Sequence, residues 1–371
     1  MIATWLLSLR LPSINNSSIT MNVRKSTLLF ITLTVLIAIV VSAFTKDQRE
    51  FKQNLSEYNL FVGPLANLEP VAGVMPYDLN TPLFTDYAFK KRFIKIPDGS
   101  TITYRDSSVF SFPVGSILIK NFYYPADFRA PEKKYNIIET RVLIHKDDGW
   151  VALPYIWNQE QTEATLEVAG GIMDVSWKHY NGKKRTVKYV VPTVNQCKGC
   201  HESNGQFVPI GPAARHLNKD FRYNSGLVNQ LDKWQESGML AGLPADHQSI
   251  QKNAVFDDLT SGDLNARARA YLDINCAHCH SPEGPANTSG LFLDVFEQNK
   301  APLGIHKSPI AAGRASGNHL YDIVPGKPNE SILLFRLDSN DPGIKMPEIG
   351  RNSIHEEGVE LIREWIKEME D

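Results

Sequence analysis

Twice in this chain two cysteines stand three positions apart with a histidine directly after the second. The copies are Cys197-Lys198-Gly199-Cys200-His201 and Cys276-Ala277-His278-Cys279-His280, and they hold all 4 cysteines of the protein. On one helical turn, residues i and i+3 share a face. Two thiols so placed can form thioethers with the two vinyl groups of one porphyrin. The histidine that follows can bring its imidazole to the iron as an axial ligand. C-x-x-C-H is the attachment signature of c-type haem, and the doubled motif predicts two covalent haems c. Two C-x-x-C pairs also suit one four-cysteine zinc site, two disulfides or a redox dithiol. None of these needs the trailing histidine. With 10 histidines in 371 residues, independent placement would put one after both pairs only about once in a thousand.

A distal ligand is legible for the second iron alone. Met346 lies in the turn-forming run Asp341-Pro342-Gly343-Ile344-Lys345-Met346-Pro347, 66 positions after His280. Thioether sulfur suits haem iron and raises its potential, although a lone methionine also serves as core filling. The first motif has several weaker candidates: Met239, 38 positions beyond His201, and His216, 15 beyond it. His179 and Met173, on the last hairpin of the β-rich region, could reach it across a domain contact. An open iron is the other alternative. A six-coordinate iron shuttles electrons, whereas an open one can bind a small molecule.

Other clusters carry less. Lys183-Lys184-Arg185 reads as a solvated hairpin end. Asp257, Asp258 and Asp263 lack a calcium-loop pattern, so helix capping is the better reading. No nucleophile elbow, phosphate-binding loop or dinucleotide fingerprint is present.

The elements that must position these residues fall into two kinds. From about Leu60 to Val191 the pattern is β. Phe93–Ile96 and Thr101–Tyr104 flank Pro97-Asp98-Gly99, and Val142–Ile144 and Trp150–Leu153 flank Asp147-Asp148-Gly149. Met173–Tyr180 and Lys183–Val191 flank Asn181-Gly182, a type I′ hairpin signal. Short strands with regular turn signals predict an antiparallel sandwich. A turn-rich segment follows, with a helix expected around Leu227–Met239. Beyond Asp257, Ser261 or Asp263 can cap a helix with Leu264, Ala268, Tyr271, Leu272 and Asn275 on one face. The chain ends in a helix with Ser353 and Glu356 as a capping box and Val359, Ile362, Trp365, Ile366 and Met369 as its apolar stripe. The expected fold is therefore multidomain β + α: a β-sandwich-like domain, then an α-helical haem domain. The expected divisions are 1–46 (signal peptide or membrane anchor), 47–191 (β-rich), 192–256 (first haem segment) and 257–371 (second haem domain).

Composition is ordinary for a globular protein, at 42% hydrophobic and 22% charged, and a net charge of −2 gives no reason to expect nucleic acid. Arg24 and Lys25 precede an uncharged stretch from Thr27 to Phe44, and Lys46 follows. That stretch is long for a signal-peptide core and slightly short for a spanning helix, so cleaved signal and retained inner-membrane anchor both stay open. Either way the rest of the chain is expected outside the cytoplasm, in the periplasm or otherwise exported, where bacterial c-type haem is attached. Met21 stands just before the basic pair and is an alternative start.

Residues 257–371 resemble a class I cytochrome c domain. The likeness lies in Asn275-Cys276-Ala277-His278-Cys279-His280, the Met346-Pro347 loop and the closing helix with Trp365. Ser289-Gly290-Leu291, Ile323-Val324-Pro325-Gly326 and Ser331-Ile332-Leu333 are similar to a bacterial subgroup of such domains. The exported part as a whole, through Tyr189-Val190-Val191-Pro192 and Asn195-Gln196-Cys197, resembles a family of exported bacterial dihaem cytochromes over about four-fifths of the chain. The resemblance implies haem binding and electron transfer with a redox partner protein, and it names no substrate. The rival expectation is a peroxidase-like dihaem enzyme with the first haem as its reactive site. A third makes the β-rich region the binding site for a ligand or an oxidoreductase.

Overall fold

Residues 32–36 and 51–370 are described by the computed structural model. The expected signal or anchor at 1–46 lies outside the described residues apart from Thr32–Leu36, which is helical. Among the described residues no helix is long and apolar enough to cross a membrane. Residues Asn54–Asp371 gather into one unit, so the chain on either side of both cysteine motifs belongs to a single body.

Its frame is one antiparallel meander of six strands: β1 (Val74–Tyr77), β2 (Phe89–Lys95), β3 (Ile117–Pro125), β4 (Tyr135–Lys146), β5 (Gly149–Trp157) and β6 (Ala164–Leu166). Chain neighbours pair throughout, and a bulge interrupts β3–β4 between Phe122 and Tyr123. Side chains alternate across the sheet. On one face Met75, Ile94, Leu118, Leu143 and Ala152 stand in a cross-strand row. That row shares a core with Cys197, Leu217, Leu231, Trp234 and Met239. On the other face Phe61 packs edge-on against Phe93 at 5.0 Å and Tyr58 against Tyr155 at 5.9 Å.

The expected sandwich does not form. Every other sheet among the described residues has two strands. Alternation shows that a strand has a buried face, and here no second large sheet covers it: the short Leu55–Tyr58 helical turn lies on one side, and the first-motif segment and the two-stranded ribbon Gly171–Val191 lie on the other. The Pro97-Asp98-Gly99 turn does not close a hairpin either. Ile102–Thr103 leaves the sheet and pairs in parallel with Leu240–Ala241, which buries Ile102 in the core beside Trp234 and Met239. The Asp147-Asp148 hairpin does form, with Lys146 opposite Gly149. So does the ribbon of β7 (Gly171–Lys178) and β8 (Lys184–Val191). Its turn is not type I′: Gly182 alone takes a left-handed φ, of 77°, and its amide returns to the His179 carbonyl at 2.8 Å.

A separate helical haem domain of the cytochrome c kind is not evident either. More of the described residues lie in strands than in α-helices. After Asp257 the main helices are α2 (Leu264–Leu272), α3 (Ile332–Leu337) and α4 (Glu356–Glu368), with long irregular connections. Eight prolines between Pro282 and Pro347 interrupt any longer helix. Asp263 does cap α2, accepting from the Ala266 amide at 2.7 Å, whereas Ser261 bonds the Val255 backbone. The expected Ser353/Glu356 capping box is absent. Ser353 donates its hydroxyl to Asp86 at 2.8 Å, and Glu356 forms a two-point ion pair with Arg185 at 2.7 and 2.8 Å. Arg185 is thus half of a tie between the ribbon and α4, while Lys183 and Lys184 are exposed. Helices α2 and α4 share a core with α3, and Trp365 donates to Asn265 at 2.9 Å.

Candidate cofactor-attachment site

The first motif sits on a short helix, α1 (Val194–Cys200), which precedes α2 in the chain. Thr193 and Gln196 cap it reciprocally: the Thr193 hydroxyl accepts from the Gln196 amide at 3.1 Å, and the Gln196 carboxamide accepts from the Thr193 amide at 2.9 Å. Cys197 and Cys200 are one turn apart, and the His201 amide closes that turn on the Cys197 carbonyl at 3.1 Å. The chain then reverses at Asn204-Gly205, both left-handed with φ of 49° and 72°, the type I′ chemistry of a two-residue hairpin. The reversal lays Phe207 on the His201 ring at 4.9 Å and 7°. It also brings the Val208 carbonyl to His201 Nδ1 at 2.8 Å. A carbonyl only accepts, so Nδ1 carries the proton and Nε2 keeps its lone pair. Burial pushes this imidazole down to about 3, with Lys120, His278 and Arg141 adding to the shift against the Val208 bond.

The second motif follows α2 through a π-helical turn, Asp273–Ala277. The amides of Cys279 and His280 both return to the Cys276 carbonyl, at 3.0 and 2.9 Å. Gly284 folds the chain back so closely that a Cβ there would meet the Cys279 carbonyl oxygen at 2.4 Å. Ser289 spends its hydroxyl proton on the Ala286 carbonyl at 2.7 Å and faces His280 Nδ1 at 3.3 Å. His280 Nδ1 is therefore the donor, and again Nε2 keeps its lone pair. Burial, then Arg336 and His278, lower this imidazole to about 4, with the nearby Leu291 backbone opposing the shift. Both imidazoles are neutral at pH 7, the protonation state a metal ligand needs.

The two turns meet. The Cys279 thiol lies 4.0 Å from the Gly199 carbonyl, and the Asn204 amide donates to the Glu283 carbonyl at 2.8 Å. Hydrogen bonding from Cys279 and then His278 draws the Cys200 thiol down against its burial. Cys279, the donor, is pushed up, and burial takes Cys276 to about 12. Cys197 belongs to the core under the sheet and Cys276 to the core of the C-terminal helices. All four cysteines are free of disulfides, and among the described residues no group of three or more His, Cys, Asp or Glu could hold a metal ion. A porphyrin asks for a different donor set: two thiols on one turn and an adjacent imidazole with Nε2 free. Both segments supply it, so the residues fit a covalently held haem.

The Met346 loop is held by a residue that sequence reasoning passed over. Arg351 is 4% exposed. Its guanidinium donates to the carbonyls of Met346 (2.8 and 3.1 Å), Ser339 (2.9 Å), Leu337 (3.1 Å), Ser353 (3.1 Å) and Arg336 (3.2 Å). The Met346 amide donates to the Arg336 carbonyl at 3.0 Å, and the Arg336 charge bears on His280. From the β-rich side, Asp86 accepts from the Asn352 and Ser353 amides, each at 2.7 Å. Phe84 stacks on His355 at 4.2 Å and donates its amide to Asn275 at 2.7 Å. A cavity lies between Tyr271, Asn275, Pro347, Arg351 and His355. Replacing Arg351 by Met is expected to strand several buried carbonyls and cost about 3–5 kcal/mol. Denaturant midpoints should show it, with Arg351→Lys recovering only part because an ammonium cannot fork.

The candidates for the first motif's distal ligand are dispersed. His216 has Nε2 3.4 Å from Asp273 and Nδ1 3.5 Å from the Asn253 carboxamide. His179 accepts from Trp177 at 3.3 Å and faces Glu357 at 3.6 Å. Both histidines belong to ties between segments. Met173 packs against the core of the β7–β8 ribbon, and Met239 lies in the same core as Cys197.

Compared with known proteins, the chain matches no family model, no curated protein and no solved structure.

Proposed function

We propose that this chain is an exported electron-transfer protein carrying two covalent haems c, one on Cys197, Cys200 and His201 and one on Cys276, Cys279 and His280. The observation that carries the proposal is the contact between the two attachment turns, through Cys279 and Gly199 and through Asn204 and Glu283. Each haem, when bound, supplies a one-electron iron couple. The protein's part is to hold both groups side by side without a diffusing carrier. Val208 and Ser289 engage Nδ1 of the two imidazoles, which would leave each Nε2 to hold an iron. Arg351 and Asp86 hold the loop that carries Met346, the proposed distal ligand of the second iron. Lys198, Gly199, Pro282 and Glu283 are exposed around the junction and give a redox partner protein a place to dock. Export rests on the basic and apolar pattern before Lys46.

The peroxidase-like reading has one observation in its favour. His216 and His179 have both ring nitrogens engaged elsewhere, which takes both histidine candidates away from the first iron. The test is the spin state of the purified protein. Carrier function predicts two low-spin irons, indifferent to carbon monoxide and cyanide at modest concentration. A high-spin iron that binds either ligand and turns over peroxide, with activity lost in His201→Ala, would replace the carrier by the enzyme.

A further inference from the structure

The sheet face that carries the first-motif core also carries a row of like charges. Arg92 on β2 stands directly opposite Lys120 on β3, which stands directly opposite Arg141 on β4. The next row on this face is Lys90, Phe122 and Glu139. Like charges directly opposite one another on a sheet destabilise it. With Lys219, the row sets five cations against Asp78 and Glu139, and Asp86 also bears on Lys90. Asp78 pairs with Arg92 at 2.6 Å and Lys219 at 3.4 Å. Glu139 pairs with Arg141 at 2.5 Å and also accepts from Tyr189 at 2.8 Å. Lys90 and Lys120 have no carboxylate partner among the described residues, and Lys120 rests on the Phe122 ring at 4.9 Å. Arg92 is 4% exposed, yet its Nη2 is buried with no hydrogen-bond partner. Burial and the neighbouring cations hold both lysines well below their usual pKa.

A buried guanidinium nitrogen left unbonded inside an uncompensated cation row is costly unless an anion completes it. The row faces a definite neighbour, since the charges of Lys120 and Arg141 bear on His201 and those of Arg141 and Glu139 on Cys197. We propose that Arg92, Lys120 and Arg141, with Lys90, form a carboxylate-binding site beside the first attachment turn. A haem held at Cys197 and Cys200 would bring two propionate carboxylates to this side of the turn, so this source rests on the function proposed above. A free carboxylate or oxyanion of similar size is the other source of the same chemistry.

Lys120→Gln tests the site, because it removes one cation without breaking an ion pair. In the loaded chain it is expected to lower the melting temperature by about 2–4 °C, with Lys120→Arg restoring it. In a Cys197→Ser/Cys200→Ser chain, which cannot hold the first haem covalently, the same change should raise the melting temperature by relieving repulsion. That reversal of sign assigns the carboxylates to the haem. Loss in both backgrounds, with a rise on adding inorganic phosphate that Lys120→Gln abolishes, assigns the site to a free anion. A gain or no change in the loaded chain overturns the site, and this holds even where the serine chain fails to fold. Haem content is measured separately. A chain found without haem refutes the proposed function, and the phosphate arm then decides the anion site by itself.

Discussion

Replacing Cys276 and Cys279 together by serine is expected to cut the covalent haem of the exported chain from two to one. Serine cannot form a thioether, and His280 alone would hold a porphyrin only by its iron bond. The first motif should keep its haem. Its helix cap at Thr193, its Asn204-Gly205 reversal and the Val208 bond to His201 use no residue of the second motif. The change should also loosen the C-terminal core, where Cys276 packs among Tyr271, Leu272 and Ile362. A buried hydroxyl in place of that thiol costs about 1–3 kcal/mol where it finds no partner. Serine at Cys197 and Cys200 should give the mirror result, with the second haem kept. Two haems retained in either double variant would mean that the thiols are not the attachment points.

Replacing Met346 by alanine is expected to remove the weak long-wavelength methionine–iron band and to lower the potential of the second haem. The loop itself should survive, because Arg351 holds its backbone through the Met346 carbonyl and Asp86 holds the residues beyond it. The structural cost is then that of truncating a half-buried methionine, about 1–2 kcal/mol. A spectrum and potential equal to those of the parent would make Met346 a packing residue. Comparison with Arg351→Met separates the roles, since that variant should lose stability first and the band only as the loop loosens.

Local chemistry was readable in the residues, and long-range closure was not. The Asp263 cap, the Asp147-Asp148 hairpin and the stripes of the two terminal helices depend on neighbours within a turn or two. The sandwich failed because alternation along β2 to β5 reports a buried face and is silent on what buries it. The Ser353 cap failed because a distant carboxylate, Asp86, competes for the same hydroxyl. Arg351 has no local signature: its acceptors are backbone carbonyls spread from Arg336 to Ser353. The Asn204-Gly205 reversal did carry a signal, an Asn-Gly pair three residues after the first motif. His278, an unassigned position inside the second motif, proved to lie against Cys200 of the first. The meeting of the two motifs joins positions about eighty residues apart, and nothing local encodes it.

The most direct measurement is the number of haems that stay on the purified, exported chain after acid–acetone extraction, read against protein concentration. Two per chain are expected, both resistant to extraction and both low-spin. Haem that leaves with the solvent, or a chain whose mass shows zinc and no porphyrin, would contradict it.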